Sequence, residues 1–151
     1  MLDKVLKIVK SLNDLSVNYV IIGGYAIIIH GYLRATEDLD VMIEMTDENV
    51  KKFQQSIKAI YKDKEIQEIN FTELGKYPVI RYGTPDNFYI DVISGLGTEF
   101  SYNDIEIVKR EIEGIMISFA SIKSLYEMKK NTYREKDKLD LVFIKSKMQD
   151  D

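Results

Sequence analysis

The chain has 151 residues, 45% of them hydrophobic and 30% charged, with a formal net charge of -4. That length and apolar share suit one domain with one core, residues 1–151, and there is no basic excess to hold a long nucleic acid by counterion release. The absence of cysteine excludes a disulfide framework, a thiolate zinc site and a cysteine nucleophile together.

Leu2, Val5, Leu6, Ile8, Val9, Leu12 and Leu15 recur at three- and four-residue steps, which predicts an opening amphipathic helix. Asp3, Lys4, Lys7 and Lys10 interrupt it, so it is neither a signal peptide core nor a membrane span, and a soluble cytoplasmic protein is expected. Tyr19 to Ile22 is short, β-branched and continuous, the pattern of a buried strand, and it stops at a Gly23-Gly24 turn. A second helix is expected from Tyr25 to about His30. Beyond Gly31, Leu39, Val41, Ile43 and Met45 alternate with Asp38, Asp40, Met42 and Glu44, the period-two signature of a strand with two different faces. Thr46 or Asp47 caps a third helix reaching about Tyr61, with Val50, Phe53, Ile57 and Ile60 on its inner face. Ile66 to Phe71, Val79 to Tyr82 and Phe88 to Ile93 are expected strands, the last two joined by a turn at Gly83 to Asn87. Ile105 to Ile112 and Ile115 to Phe119 predict a hairpin around Glu113-Gly114. Ser121 then opens a helix carrying Ile122, Leu125 and Met128, and a final helix runs from about Arg134 to Met148. Together these predict an α/β (α+β) domain, a mixed sheet of about five or more strands flanked by helices, with helices at the C-terminal end.

Asp38 and Asp40 stand two apart on one strand, so their carboxylates project from the same face with Cα atoms roughly 6.5 to 7 Å apart. Like charges side by side require compensation, and a divalent cation supplies it; hard oxygen ligands favour magnesium. The competing explanation for an isolated Asp-x-Asp is solvation at a strand edge, or pairing with Arg34 or a lysine. Gly23-Gly24 lies at a strand-to-helix junction, where glycine permits close backbone approach and free N–H groups face an anion such as a triphosphate. Its competing explanation is a tight turn at positive φ. Neither a Walker motif nor a dinucleotide fingerprint is present.

Val20-Ile21-Ile22-Gly23-Gly24-Tyr25-Ala26, followed by His30-Gly31, Arg34, Thr36 and Asp38-Leu39-Asp40-Val41, resembles the nucleotidyltransferase superfamily, the fold of DNA polymerase β. It looks most like the minimal bacterial and archaeal members. The thirteen residues between Gly24 and Asp38 agree with the family signature of strand, Gly-Gly, helix and Asp-x-Asp strand. Asp91, in Phe88-Tyr89-Ile90-Asp91-Val92, matches the family's third acidic residue, and the stretch from Ser121 through Asp140 resembles its C-terminal helices.

The resemblance implies that Asp38, Asp40 and Asp91 form the catalytic and metal-binding set. Asp38 and Asp40 would hold one or two Mg2+ ions that bridge nucleotide phosphates; Asp91 would complete the second site and assist deprotonation of the acceptor. Gly23 and Gly24 would meet the phosphates through the backbone, and Lys129 and Arg134 would add positive charge if the C-terminal helices close over the cleft. Tyr133 to Lys138 is also a charge run of the kind that forms a solvated helix face. Arg34 and Thr36 are expected to support the loop and the aspartate strand, and His30 to pack locally. The implied activity is Mg-dependent transfer of a nucleoside monophosphate from an NTP, ATP among them, to a hydroxyl acceptor on a small molecule, a protein or RNA, within a homodimer or beside a small partner protein. The alternative is a nucleotide-binding or partner-binding protein of the same fold with weak catalysis, one half of a toxin–antitoxin type pair.

Overall fold

The computed structural model describes residues 2–150, built as one mixed sheet with helices packed against it. Helix α1 (Leu2–Asp14) buries Val5, Leu6, Ile8, Val9 and Leu12. This is the stripe that a 3.6-residue period brings to one side. Strand β1 (Tyr19–Ile22) is buried throughout and leads into α2 (Gly23–Ile29). That helix starts two residues earlier than the pattern of side chains indicates, so Gly23-Gly24 forms its first turn instead of a separate turn before it. Gly23 has φ +67°, and no side chain caps the helix.

Strand β2 (Asp38–Ile43) precedes α3 (Asp47–Tyr61). The Thr46 hydroxyl accepts from the Asn49 backbone N–H at 3.1 Å, a cap worth about 1 kcal/mol. Buried Asn49 then ties the strand ends together, its amide donating to the carbonyls of Asn18 (3.0 Å) and Glu44 (2.9 Å).

The strand expected over Ile66 to Phe71 is absent. Lys64–Glu68 is a 3-10 turn and Phe71–Lys76 is helix α4. Two short polar side chains decide this. Asp63 accepts from the Glu65 N–H at 3.0 Å and Asn70 from the Glu73 N–H at 2.9 Å, each supplying a helical cap where a strand would need a free ladder. Ile66, Ile69 and Leu74 are all buried in the core.

Strands β3 (Val79–Thr84) and β4 (Phe88–Ile93) form a hairpin, as do β5 (Ile107–Ile112) and β6 (Ile115–Ala120). The second turn places Glu113 and Gly114 at φ +50° and +81°, the paired positive values of a tight hairpin turn. Ser121 caps α5 (Ile122–Lys129), and α6 (Glu135–Gln149) follows. The sheet order is β3-β4-β2-β1-β6-β5. β2 runs antiparallel to β1 and parallel to β4, and β1 runs parallel to β6. The centre of the sheet is therefore β2, between the strand that ends in Gly23 and the strand that carries Asp91. No helix among the described residues is long and apolar enough to cross a membrane.

Candidate active site

Three ladders bring the site together. Ile22 pairs with Asp40 in the antiparallel β1–β2 ladder, so the chain entering Gly23 passes beside Asp40. Asp40 pairs with Asp91 in the parallel β2–β4 ladder. Paired residues on parallel strands share a face at a strand spacing of roughly 4.8 Å, so these two carboxylates are neighbours, with Asp38 on the same face. Asp91 in turn pairs with Arg81 across the β3–β4 hairpin.

The two glycines make room for different groups. A Cβ on Gly23 would strike the Asp40 carboxylate, whose Cγ would lie 3.0 Å away. A Cβ on Gly24 would lie 3.0 Å from Arg34 Nη1 and 3.1 Å from Thr36 Oγ1. Thr36 donates to the Asp38 carbonyl at 3.3 Å, steadying the entry to the strand.

Crowding of negative charge has a measurable consequence. The Asp40 carboxyl is pushed up from 3.8 to about 7, first by burial, then by the adjacent charge of Asp91 and a hydrogen bond shared with it, then by Asp38. Lys129 pulls in the opposite direction. Asp38 and Asp91 have a cation of their own. Arg81 Nε donates to Asp91 Oδ1 at 2.9 Å, while its Nη2 donates to Asp91 Oδ2 at 3.1 Å and to Asp38 Oδ2 at 2.9 Å. Its guanidinium also lies 4.9 Å from the centre of the Tyr89 ring. The carboxylates raise the Arg81 pKa further above its ordinary value.

Arg81 escaped the reading of residue types, although the sequence holds the signal. Counting back from the turn at Pro85 to Asn87 pairs Thr84 with Phe88 and therefore Arg81 with Asp91.

A cleft of about 370 Å3 opens over these groups, bounded across from the strands by Lys129, Arg134 and Asp137. The second cluster there is ionically dense. Asp140, 1% exposed, receives Arg34 Nη1 at 3.0 Å and lies 3.4 Å from Lys129 Nζ. Asp137 is bound by Lys129 Nζ at 2.6 Å and by the Thr132 hydroxyl at 2.9 Å, with Arg134 Nε at 3.5 Å. The charge run is thus only partly a solvated face: Glu135, Lys136 and Lys138 are exposed, but Asp137 is buried, because the turn before α6 points it at Lys129. Burial raises the Asp137 pKa, but the Lys129 hydrogen bond and charge, the Thr132 hydroxyl and Arg134 outweigh it, and the net shift is downward. His30 lies outside the cleft. Its Nε2 donates to the Ala120 carbonyl at 2.8 Å and its ring packs edge-on to Phe119.

Among the described residues, no three acidic or histidine side chains are arranged as a ready metal cage. The reason is visible in the hydrogen bonds, since Arg81 takes both oxygens of Asp91 and one of Asp38. The donor set nevertheless suits a hard divalent cation. It consists of carboxylate oxygens, one of them on a buried, electrostatically strained Asp40, beside a glycine that leaves the carboxylate room.

A family model described as aminoglycoside-2''-adenylyltransferase matches residues 4–143. The chain belongs to that family. Among solved structures, the family's fold recurs in a lincosamide antibiotic adenylyltransferase, LnuA, determined with lincomycin bound. It is 13% identical, with a TM-score of 0.59 and 97% of each chain covered. An antigenic nucleotidyltransferase-like protein from Paracoccidioides brasiliensis is 12% identical with a TM-score of 0.60, covering 93% of this chain and 73% of that one. At such identities the likeness establishes the nucleotidyltransferase fold. Among curated proteins none matches this adenylyltransferase-family chain.

Proposed function

We propose that this adenylyltransferase-family protein transfers AMP from ATP to a hydroxyl group of a small molecule. The observation that carries the reading is the meeting of Asp38, Asp40 and Asp91 on one sheet face beside Gly23, within one cleft. The acceptor oxygen forms a bond to the α-phosphorus, the bond from that phosphorus to the bridging oxygen breaks, and pyrophosphate leaves. The acceptor proton passes to the Asp40–Asp91 pair. Asp38, Asp40 and Asp91 would hold one or two Mg2+ ions, which when bound neutralise the charge developing on the phosphates. The Gly23 and Gly24 backbone meets the polyphosphate, and Lys129 and Arg134 face it from the opposite wall.

The acceptor class that the family description favours is an amino sugar. The family description names an aminoglycoside, and among the cleft's four aspartates, which Arg81, Lys129, Arg134 and Lys136 balance in number, Asp40 has no ion pair of its own. The test uses ATP labelled at its α-phosphate, Mg2+ and a panel of aminoglycosides, lincosamides and neutral sugars. Label should move onto an amino sugar and release pyrophosphate, and Asp40→Asn should abolish the transfer. No labelled product with any acceptor, together with no binding of ATP, would remove the reading.

A second reading, a nucleotide-binding protein that works beside a partner, draws on exposed Tyr133, Leu139 and Val142 near the cleft's helical wall. ATP binding without transfer to any small acceptor would favour it.

A further inference from the structure

Arg81 is placed unlike Lys129 on the opposite wall of the cleft. Lys129 is largely buried and serves the buried Asp137 and Asp140, whereas the Arg81 side chain is 52% exposed and rises from β3, the outermost strand, which pairs only with β4. It makes three charge-assisted hydrogen bonds, to both Asp91 oxygens and to Asp38, and its guanidinium lies over the half-exposed Tyr89 ring. These are oxygens that a metal-assisted transfer would use, and a divalent cation drawing on them competes with the guanidinium for their lone pairs and for the same negative charge. A guanidinium stays protonated throughout the physiological range, so deprotonation cannot release it; only exchange for another cation can.

We propose that Arg81 is a displaceable countercation that holds Asp38 and Asp91 in the resting protein and gives them up, keeping the Tyr89 ring, as a divalent cation is taken up. The inference rests on the metal-assisted reading of the site and adds to it a residue that positions the carboxylates and sets the threshold for loading. Before loading, Arg81 keeps like charges from splaying the strands apart. The Tyr89 ring, already 4.9 Å from the guanidinium, retains its cation–π contact when the carboxylates are given up, so the exchange does not strand the charge in solvent. The stem moves along an edge strand, away from the packed core, so the exchange requires no shift of β2 or β4.

A purely structural arginine and a displaceable one predict opposite signs. If Arg81 merely braced Asp38 and Asp91, its removal would disorder them and weaken cation binding. If it is displaced, its removal strengthens binding. Mn2+ uptake by the full chain without nucleotide, followed by the electron paramagnetic resonance of the free ion, separates the two. Arg81→Gln should tighten Mn2+ binding by about tenfold or more, since one charge-assisted hydrogen bond that no longer has to be broken is worth at least that factor. Arg81→Lys should fall between, because an ammonium cannot bond both Asp91 oxygens in a fork. In the wild-type protein, Mg2+ should move the Arg81 Nε–H nuclear magnetic resonance signal away from its carboxylate-bonded position, a readout independent of how the variants fold. Unchanged or weaker Mn2+ binding by Arg81→Gln, or an Nε–H signal unmoved at saturating Mg2+, would overturn the proposal. Were the wild-type protein still to bind Mn2+ with ATP, and Asp40→Asn not, the functional reading would survive that failure. If no variant took up Mn2+ even with ATP, both would fall.

Discussion

Two clusters of aspartate and basic residues face each other across the cleft, and their charge is balanced in opposite ways. On the sheet, Asp38 and Asp91 share the guanidinium of Arg81, which makes no ion pair with Asp40 beside them. On the helical wall, Asp137 and Asp140 are met by Arg34, Lys129 and Arg134. The same residue type responds with opposite shifts, Asp40 upward and Asp137 downward, although burial pushes both upward. Burial alone therefore does not mark a functional carboxylate; the deficit of positive charge around it does. The helical cluster is internally satisfied and behaves as a brace, tying the loop before β2 to the last helix through Arg34 and Asp140. The strand cluster keeps an unmet demand for a cation and is where a ligand can contribute the most.

Three changes would break or sharpen this contrast. The largest effect is expected in the brace. Asp140→Asn leaves the largely buried Arg34 without its carboxylate, Lys129 keeping Asp137, and leaving a buried ion uncompensated costs roughly 3–5 kcal/mol, which urea unfolding would record. A cost below about 1 kcal/mol, the range of exposed pairs, would mean the two clusters are not different in kind.

The opposite sign is expected in the strand cluster. Because the folded-state pKa of Asp40 is raised from 3.8 to about 7, its contribution to the stability of the protein without cation is fully present below about pH 4 and is lost as the pH climbs toward 7. Asp40→Asn should flatten that slope and raise stability above pH 7 by on the order of 2 kcal/mol, while transfer activity is lost. Unfolding of both proteins between pH 4 and 8 tests it, and parallel curves would refute the charge deficit.

The smallest effect is expected outside the cleft. His30 is held neutral by burial, its pKa lowered despite the Ala120 carbonyl. Its contribution is therefore present above the unfolded value of about 6.5 and is lost as the pH falls below it. His30→Gln should remove about 1 kcal/mol of stability at pH 7 and less at pH 5, with ATP binding unchanged. Loss of ATP binding in that variant would move His30 into the site.

Much of this architecture is legible from residue order. The strands at Tyr19–Ile22, Asp38–Ile43 and Phe88–Ile93 carry continuous or alternating apolar patterns, and Gly23, the Thr46 cap and Gly95 mark where they stop. The Lys64–Lys76 region is not so marked: Ile66 and Ile69 fit a short strand or a helical turn equally, and the outcome depends on how Asp63 and Asn70 spend their side-chain oxygens. In the site, the acidic residues and glycines stand out because unpaired carboxylates and paired glycines are costly without a purpose. Arg81 and Asp140 do not, because an arginine on a strand and an aspartate in a charged helix are ordinary until register and helix packing name their partners. Pairwise placement, not residue identity, carries that information.

The parallel pairing of β2 with β4 serves as a ruler for folding and chemistry at once. Slipping β4 by one residue would set Ile90 or Val92 opposite Asp40, turn Asp91 to the other face and push apolar side chains into the cleft. The sorting of Leu39, Val41, Ile90 and Val92 into the core is then also what meters the gap between two carboxylates. A variant that loosens this hydrophobic register would be expected to lose its chemistry before it loses its fold.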